Sequence, residues 1–390
     1  MTLRTLIVGN PENRRISLFQ AALAQRGEPA AEVVPWLEVV SSRVDWASRL
    51  RNVNRVRLES PGENAAVERA LIAAGDTGEA DTVCPHADQI SACEAAQLSD
   101  DPGLIRYPRQ WYRGLRRILR QLDEHAVHVP GAQWNHSVKN ILCMFDKVEC
   151  QHLLDQAGIS IPATLPLIHS YDELLHQMNE RGIHRVFVKL AHSSSASGVV
   201  ALERGRSGQQ AYTSAQLIRT NGQTRLYNSL KVRCYTRTED IRDLIDTLVR
   251  ERVQVEAWLP KASYDERRFD LRVVVIGGQA RHVVVRVSRQ PMTNLHLGNS
   301  RGDTARIMET LGPEAWAAAM ATCERAMRSF PGSLYAGIDL LIRNDYRRHA
   351  VLEVNAFGDL LPNVWHNRES TYDAELSAQP VFQKQAGGVA

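Results

Sequence analysis

The stretch that decides the fold is Ala336-Gly-Ile-Asp-Leu-Leu-Ile342, a polar turn around Asn344-Asp-Tyr-Arg347, and Val351-Leu-Glu-Val-Asn355. Apolar runs on both sides of a polar turn predict two strands joined as a hairpin. A hairpin centred near residue 346 sets Asp339 opposite Glu353, since they lie seven positions either side of it. Asn355 follows Glu353 by two, and a strand's period of two returns it to the same face. Ile338, Leu340, Leu352 and Val354 are then expected on the other face. Two carboxylates side by side in a sheet repel unless something positive sits between them. An all-oxygen set of two carboxylates and one amide suits Mg²⁺, which also takes phosphates as ligands. Asp339, Glu353 and Asn355 are therefore the candidate metal ligands.

The strands before this hairpin carry further chemistry. Val253–Leu259, Asp270–Ile276 and Ala280–Ser288 read as strands, with Gly277-Gly278 as a tight turn and a helix over Pro313–Ser329. Strands joined by hairpins predict an antiparallel sheet. Arg272 and Arg286 lie on facing strands, where each guanidinium can hold an oxyanion. Asn294-Leu-His-Leu-Gly-Asn-Ser300 is a polar loop after them. Glu256-Ala257-Trp258 ends a strand before Pro260, a segment able to offer backbone groups to an adenine edge. Lys189 ends the apolar strand Arg185-Val-Phe-Val-Lys-Leu190, and a lysine there needs an anionic partner. The small-residue loop that follows, His192 to Gly198 with Ser194, Ser195 and Ser197, lets backbone N–H groups close over phosphate.

The rest of the chain supports these parts. Thr5–Val8, Val33–Val34 and Arg55–Leu58 read as buried strands, with helices through Ile16, Phe19 and Leu23 and through Val67 and Leu71. They predict a small open α/β sheet. No G-x-G-x-x-G follows the first strand, which argues against a dinucleotide site. Trp111–Arg120 is a basic amphipathic helix, either a solvated face over a core stripe or an anion-facing wall. Asp146 is placed to cap a helix from Lys147 to Ala157, and Thr238 to cap one ending at Glu251. Asn221-Gly222 between two strand-like runs signals a hairpin.

Hydrophobic residues make up 44% and charged residues 23% of the 390, which excludes wholesale disorder. With 47 basic and 44 acidic residues the net charge is +3, and the chain as a whole has no nucleic-acid footprint. No apolar run reaches the roughly 20 residues a membrane helix needs, and the apolar run at the N-terminus is too short for a secretion signal. Six scattered cysteines, with no C-x-x-C, fit structural thiols in a reducing cytoplasm.

Together, the stretch from Val138 to Pro362 resembles the ATP-grasp superfamily, and within it the RimK-like and glutathione-synthetase-like carboxylate–amine ligases. Gly337-Ile-Asp339 with Glu353-Val-Asn355 is the most specific element of the likeness. The resemblance implies an α/β (α+β) ATP-grasp fold behind a small N-terminal α/β pre-ATP-grasp domain. The expected division is 1–130 for that domain, 131–255 for the subdomain with the phosphate lid and an extra hairpin near 203–235, 256–370 for the antiparallel subdomain with the metal site, and a tail over 371–390. It also implies that Lys147 and Lys189 touch the ATP phosphates, that Ser194, Ser195, Ser197 and Gly198 form the lid, and that Glu256, Ala257 and Trp258 line the adenine hinge. Asp270 would contact the ribose or nucleotide, and Arg286 would hold the transferred phosphate or acyl group beside Arg272. Asn294 matches the loop on the catalytic face, with Asn299 where relatives carry a second glycine.

The expected cofactors are ATP and Mg²⁺, with two ions, or Mn²⁺ in their place. The expected reaction joins a small-molecule or peptide carboxylate to an amine through an acyl phosphate, releasing ADP and phosphate. The alternatives are an ATP-grasp kinase acting on a hydroxyl and a non-catalytic ATP-binding partner in a biosynthetic complex. Neither nucleic acid nor membrane is an expected partner, and a homo-oligomer is compatible with the sequence.

Overall fold

The computed structural model describes residues 3–127, 132–206, 208–357 and 361–386. Three sheets carry the fold. The first is parallel: Glu32–Pro35, Thr5–Gly9, Arg55–Leu58 and Gln133–Trp134, in that spatial order. Thr5–Gly9 is buried at every position, as a parallel strand covered on both faces must be. The expected boundary at 130/131 lies outside the described residues.

Helix Pro108–Val127 packs across helix Ala65–Ala74. A Cβ on Gly114 would lie 1.9 Å from the carbonyl oxygen of Leu71, and one on Gly75 would lie 2.0 Å from that of Gln110. Only glycines let the two backbones approach this closely. Tyr112, Leu115, Ile118, Leu119 and Leu122 form the buried stripe of the long helix, while Arg117 and Arg120 are exposed. The basic helix is thus a core stripe with a solvated face, and none of the residues 111–120 lines the central cleft.

The second sheet is antiparallel, in the order Thr164–Leu165, Val253–Ala257, Arg185–Leu190, Val200–Gly205, Gly208–Thr220, Gln223–Tyr235. The last two strands form the extra hairpin. Asn221 and Gly222 both have positive φ (51° and 75°), as a type I′ turn requires. Asp146 caps Lys147–Gln156 by accepting from the N–H groups of Val148 and Glu149. Thr238 is not a cap: Arg237 occupies that position before helix Thr238–Leu248, and the Thr238 hydroxyl accepts from Gln209 instead.

The third sheet runs Ser300–Arg301, Gln279–Ser288, Arg267–Ile276, Tyr335–Ile342, His349–Asn355. Its two central strands are buried on both faces from Phe269 to Ile276 and from Tyr335 to Ile342. Helix Thr304–Arg328 covers one face, through Ile307, Ala319, Cys323, Ala326 and Met327. This helix begins nine residues before the expected Pro313, capped by Asp303, and bends at Gly312 (φ 75°, ψ 163°). The expected tail is in fact a helix, Thr371–Ala386. Tyr372 and Leu376 join the core under the first sheet, Ala374 and Ala378 pack under the third, and Glu375 pairs with buried Arg57. Residues 387–390 lie outside the described residues. Among the described residues, no helix is long and apolar enough to cross a membrane.

Gly114→Ala should force the two helix backbones apart. Overpacking of this kind costs about 1–3 kcal/mol or more. Urea unfolding should show that loss, and a wild-type midpoint would contradict the close crossing.

Candidate active site

A cleft between the second and third sheets holds a cavity of ≈ 300 Å³. Helix Lys147–Gln156 spans both sheets at its edge. Gln151 Nε2 donates to Glu256 Oε2 (3.4 Å) on the second sheet and to the Leu352 carbonyl (3.1 Å) on the third.

On the third sheet a ribbon of charge crosses four strands. Register places Arg286 opposite Asp270, Arg272 opposite Asp339, and Asp339 opposite Glu353. Arg286 Nε donates to Asp270 Oδ1 at 2.8 Å, and Arg286 Nη2 lies 3.2 Å from Asp339 Oδ2. Arg272 Nε lies 2.6 Å from Asp339 Oδ1. That contact is ionic rather than a hydrogen bond, because its angle is poor and the buried Oδ1 accepts no aligned donor. A bulge after Asp339 pairs Leu340 with Val351 and leaves Leu352 unpaired. Leu352 therefore lines the cleft beside Glu353, instead of facing away as strict alternation predicts.

The second sheet supplies the opposite wall. Lys189 Nζ lies 2.5 Å from Glu256 Oε1, across the diagonal of paired strands. Lys147 Nζ lies 3.1 Å from Glu353 Oε1 and donates to the Ser193 carbonyl at 2.5 Å. Ser194 and Ser195 line the cavity, with φ of 53° at Ser195.

Most of the expected site residues meet in this cleft. Lys147, Lys189, Ser194, Ser195, Glu256, Ala257, Asp270, Arg272, Arg286, Asn294, Asp339, Glu353 and Asn355 all line it. Three do not. The Trp258 ring packs 5.4 Å from the ring of Phe187, a residue of the cleft wall, and beside the Arg185 guanidinium, while the Trp258 backbone N–H donates to the Arg185 carbonyl. Ser197 closes a turn onto Ser194. Gly198 packs so closely on Leu190 and Leu248 that a Cβ would lie 2.8 Å from Leu190. Asp270 lines the cleft with both oxygens bonded within the protein. Its Oδ1 is taken by Arg286, and its Oδ2 by Lys261 Nζ (2.8 Å) and the Thr293 hydroxyl.

Lys261 and Thr293 were missed by sequence reasoning. Lys261 follows a proline, and Thr293 sits in an unpatterned loop, so no periodicity marks either. The Lys261 side chain is 5% exposed and lines the cleft, and its Nζ also bonds Thr293 Oγ1 at 2.8 Å. Arg15, from the first turn of helix Arg14–Gln25, reaches the same cleft and donates to the Phe357 carbonyl.

The pKa shifts follow from these contacts. Burial opposes charge on Asp270, but Arg286 and Lys261 outweigh it and hold the carboxyl below the usual range. Burial likewise opposes charge on Glu353, where Lys147, Lys189 and Arg272 prevail and lower it. At Asp339 burial wins, Glu353 adds to it, and the carboxyl is pushed up. Burial lowers the Lys261 ammonium.

The donor set fits a hard divalent cation. Two facing carboxylates offer their oxygens on the cleft face, and one buried oxygen of Asp339 has no aligned donor. Asn355 Nδ2 donates to the Gly337 carbonyl (3.2 Å), which leaves its amide oxygen as the ligating end. Among the described residues no group of three His, Cys, Asp or Glu converges as a metal site, so the two acids and one amide form an incomplete shell. Phosphate oxygens complete such shells around Mg²⁺.

No protein-family model and no curated protein sequence matches the chain. Solved structures do. One is the ATP-grasp ligase PsnB complexed with minimal precursor, Mg and ADP, at a TM-score of 0.51 and 15% identity over 97% of this chain and 98% of that one. Another is a Chryseobacterium gregarium RiPP-associated ATP-grasp ligase in complex with ADP and a leader and core peptide, at 0.53 and 13% over 97% of each chain. A third is D-cycloserine synthetase DcsG, at 0.54 and 12% over 98% of this chain and 99% of that one. The chain has the ATP-grasp fold.

Lys261→Met keeps the stem and removes the charge that Asp270 needs. Breaking a buried pair costs about 3–5 kcal/mol. Urea unfolding should report a loss of that size, and a change under about 1 kcal/mol would remove Lys261 from the network.

Proposed function

We propose that this protein is an ATP-dependent carboxylate–amine ligase that works through an acyl phosphate. The observation that carries the reading is the ribbon Arg286–Asp270–Arg272–Asp339–Glu353, set across the cleft from Lys147 and Lys189. Its likeness to the ATP-grasp ligases PsnB and DcsG supports the same reading.

In this account Lys147 and Lys189 exchange their carboxylate partners for phosphate oxygens. The backbone around Ser194 and Ser195 closes over the same phosphates. Asp339, Glu353 and Asn355 would hold one or two Mg²⁺, which supply charge neutralisation to the phosphates when bound. Mn²⁺ has the same preference for oxygen. Arg286 and Arg272 face the oxygens of the transferred phosphoryl group, and Asp270, Lys261 and Thr293 fix Arg286 in place. Asn294 lies in the loop that borders the reacting carboxylate. The substrate carboxylate attacks the γ-phosphorus and ADP leaves. An amine then attacks the acyl carbon, phosphate leaves, and an amide forms. A closed cleft keeps water from the acyl phosphate. The precursor, leader and core peptides bound to PsnB and to the Chryseobacterium protein favour a peptide as one of the two substrates.

Hydroxylamine separates this reading from a kinase, because it captures acyl phosphates and leaves phosphate esters intact. The assay incubates the protein with ATP, Mg²⁺, hydroxylamine and pools of amino acids and acidic peptides. A ligase yields a hydroxamate, with free phosphate equal to the ADP formed. ADP accompanied by a phosphorylated hydroxyl product, and no free phosphate, would replace the ligase with a kinase.

A further inference from the structure

A second buried network lies behind the phosphate loop, and the reaction does not use it. Asp146, 2% exposed, joins three segments. Its Oδ1 accepts from the N–H groups of Val148 (3.1 Å) and Glu149 (3.2 Å), at the start of the helix that carries Lys147. Its Oδ2 meets His192 Nε2 at 3.0 Å, where the Ser193–Gly198 loop begins, and also Arg252, where strand Val253–Ala257 begins. Backbone bonds tie the same three places: Lys147 N–H to the Ala191 carbonyl (3.1 Å), and Ala191 N–H to the Arg252 carbonyl (2.8 Å).

His192 is held from its other side by the N-terminal third of the chain. Its ring stacks on Tyr112, with centroids 4.1 Å apart and planes 19° apart. Arg109, on the same helix, lies 3.4 Å from His192 Nε2 and is fixed by Asp81 at 2.6 Å and 3.0 Å. Burial keeps the imidazole neutral, pushed down to about 4 despite Asp146. A carboxylate only accepts, so the proton of the neutral ring sits on Nε2, directed at Asp146.

We propose that His192 is a positioning residue: clamped between Tyr112 and Asp146, it sets the phosphate loop and Lys147 relative to helix Pro108–Val127. Three observations support a positional rather than a merely space-filling role. The ring sits at the first residue of the loop. Its polar contact is to the carboxylate that caps the Lys147 helix. The Lys147 ammonium itself bonds the next carbonyl, that of Ser193. A displacement at His192 therefore moves both the loop and the lysine. The inference rests on the reading of this cleft as the nucleotide site.

The test uses the full-length protein with two readouts: calorimetry of MgATP binding, and amide hydrogen exchange over residues 193–198. His192→Leu keeps bulk and removes the N–H. His192→Gln keeps an N–H at the Nε2 position. With Leu, MgATP binding should weaken by roughly tenfold, the scale of a lost hydrogen bond to a charged group, and the loop should exchange faster. Gln should restore most of both. A folded Leu variant with wild-type affinity and wild-type loop exchange overturns the proposal. If His192→Leu does not fold, Tyr112→Leu removes the stacked ring together with the hydroxyl that donates to the Leu142 carbonyl and should shift both readouts in the same direction, while Tyr112→Phe, which loses only that hydrogen bond, should stay close to wild type. Unchanged readouts in Tyr112→Leu then overturn it. If wild-type protein binds no MgATP, the nucleotide reading fails, and the loop exchange alone decides the role of His192.

Discussion

A carboxylate shut away from water must be neutralised by its neighbours, and Asp339 sets that demand at the centre of this fold. It is 4% exposed, faces another carboxylate in Glu353, and touches Arg272 and Arg286. Removing either arginine would strand a buried charge. The requirement spreads outward: Arg286 is held by Asp270, Asp270 by Lys261 and Thr293, and Glu353 by Lys147. Glu256, Asp270, Asp339 and Glu353 each have a cation in reach. The cleft is built around charges that are paired within the protein, and the proposed reaction pairs them again with a nucleotide and a metal.

The sheets and helices serve this arrangement. Antiparallel register delivers the charged residues of four strands to one face, while helix Thr304–Arg328 buries the other. Helix Lys147–Gln156 fastens the two sheets at the cleft edge, with Lys147 at its start and Gln151 one turn on. The N-terminal third adds Arg15 and Ser60 to the cleft wall, and Tyr112 behind the loop that follows His192.

Much of this was legible in the residues, and the failures have physical reasons. The Asp339–Glu353 register follows from counting about a turn, because alternation and turn chemistry are local. The bulge that turns Leu352 inward is not local. It depends on how the strand meets the cleft, and no residue pattern announces it. Trp258 was expected in the hinge; it keeps the strand parity of Glu256 and packs on Phe187 and Arg185 at the border of the cleft, without lining the cavity itself. The partners of Asp270 were not legible: its oxygens bond Arg286, Lys261 and Thr293, two of which lie in later segments. The stretch 371–390 was expected as a tail, yet Thr371–Ala386 folds as a helix because Tyr372 and Leu376 find a core made by distant residues. Gly114 carried no signal until its contact with Leu71 was in view.

The most direct measurement is a crystal structure with Mn²⁺ and a non-hydrolysable ATP analogue, with the metal located by anomalous scattering. The account predicts Mn²⁺ bound to the oxygens of Asp339, Glu353 and Asn355 and to analogue phosphate oxygens, with Lys147 and Lys189 moved from their carboxylates onto the phosphates. Metal and nucleotide bound elsewhere, or a nucleotide in the cleft with Lys147–Glu353 and Lys189–Glu256 still paired and no metal at the three ligands, would contradict it.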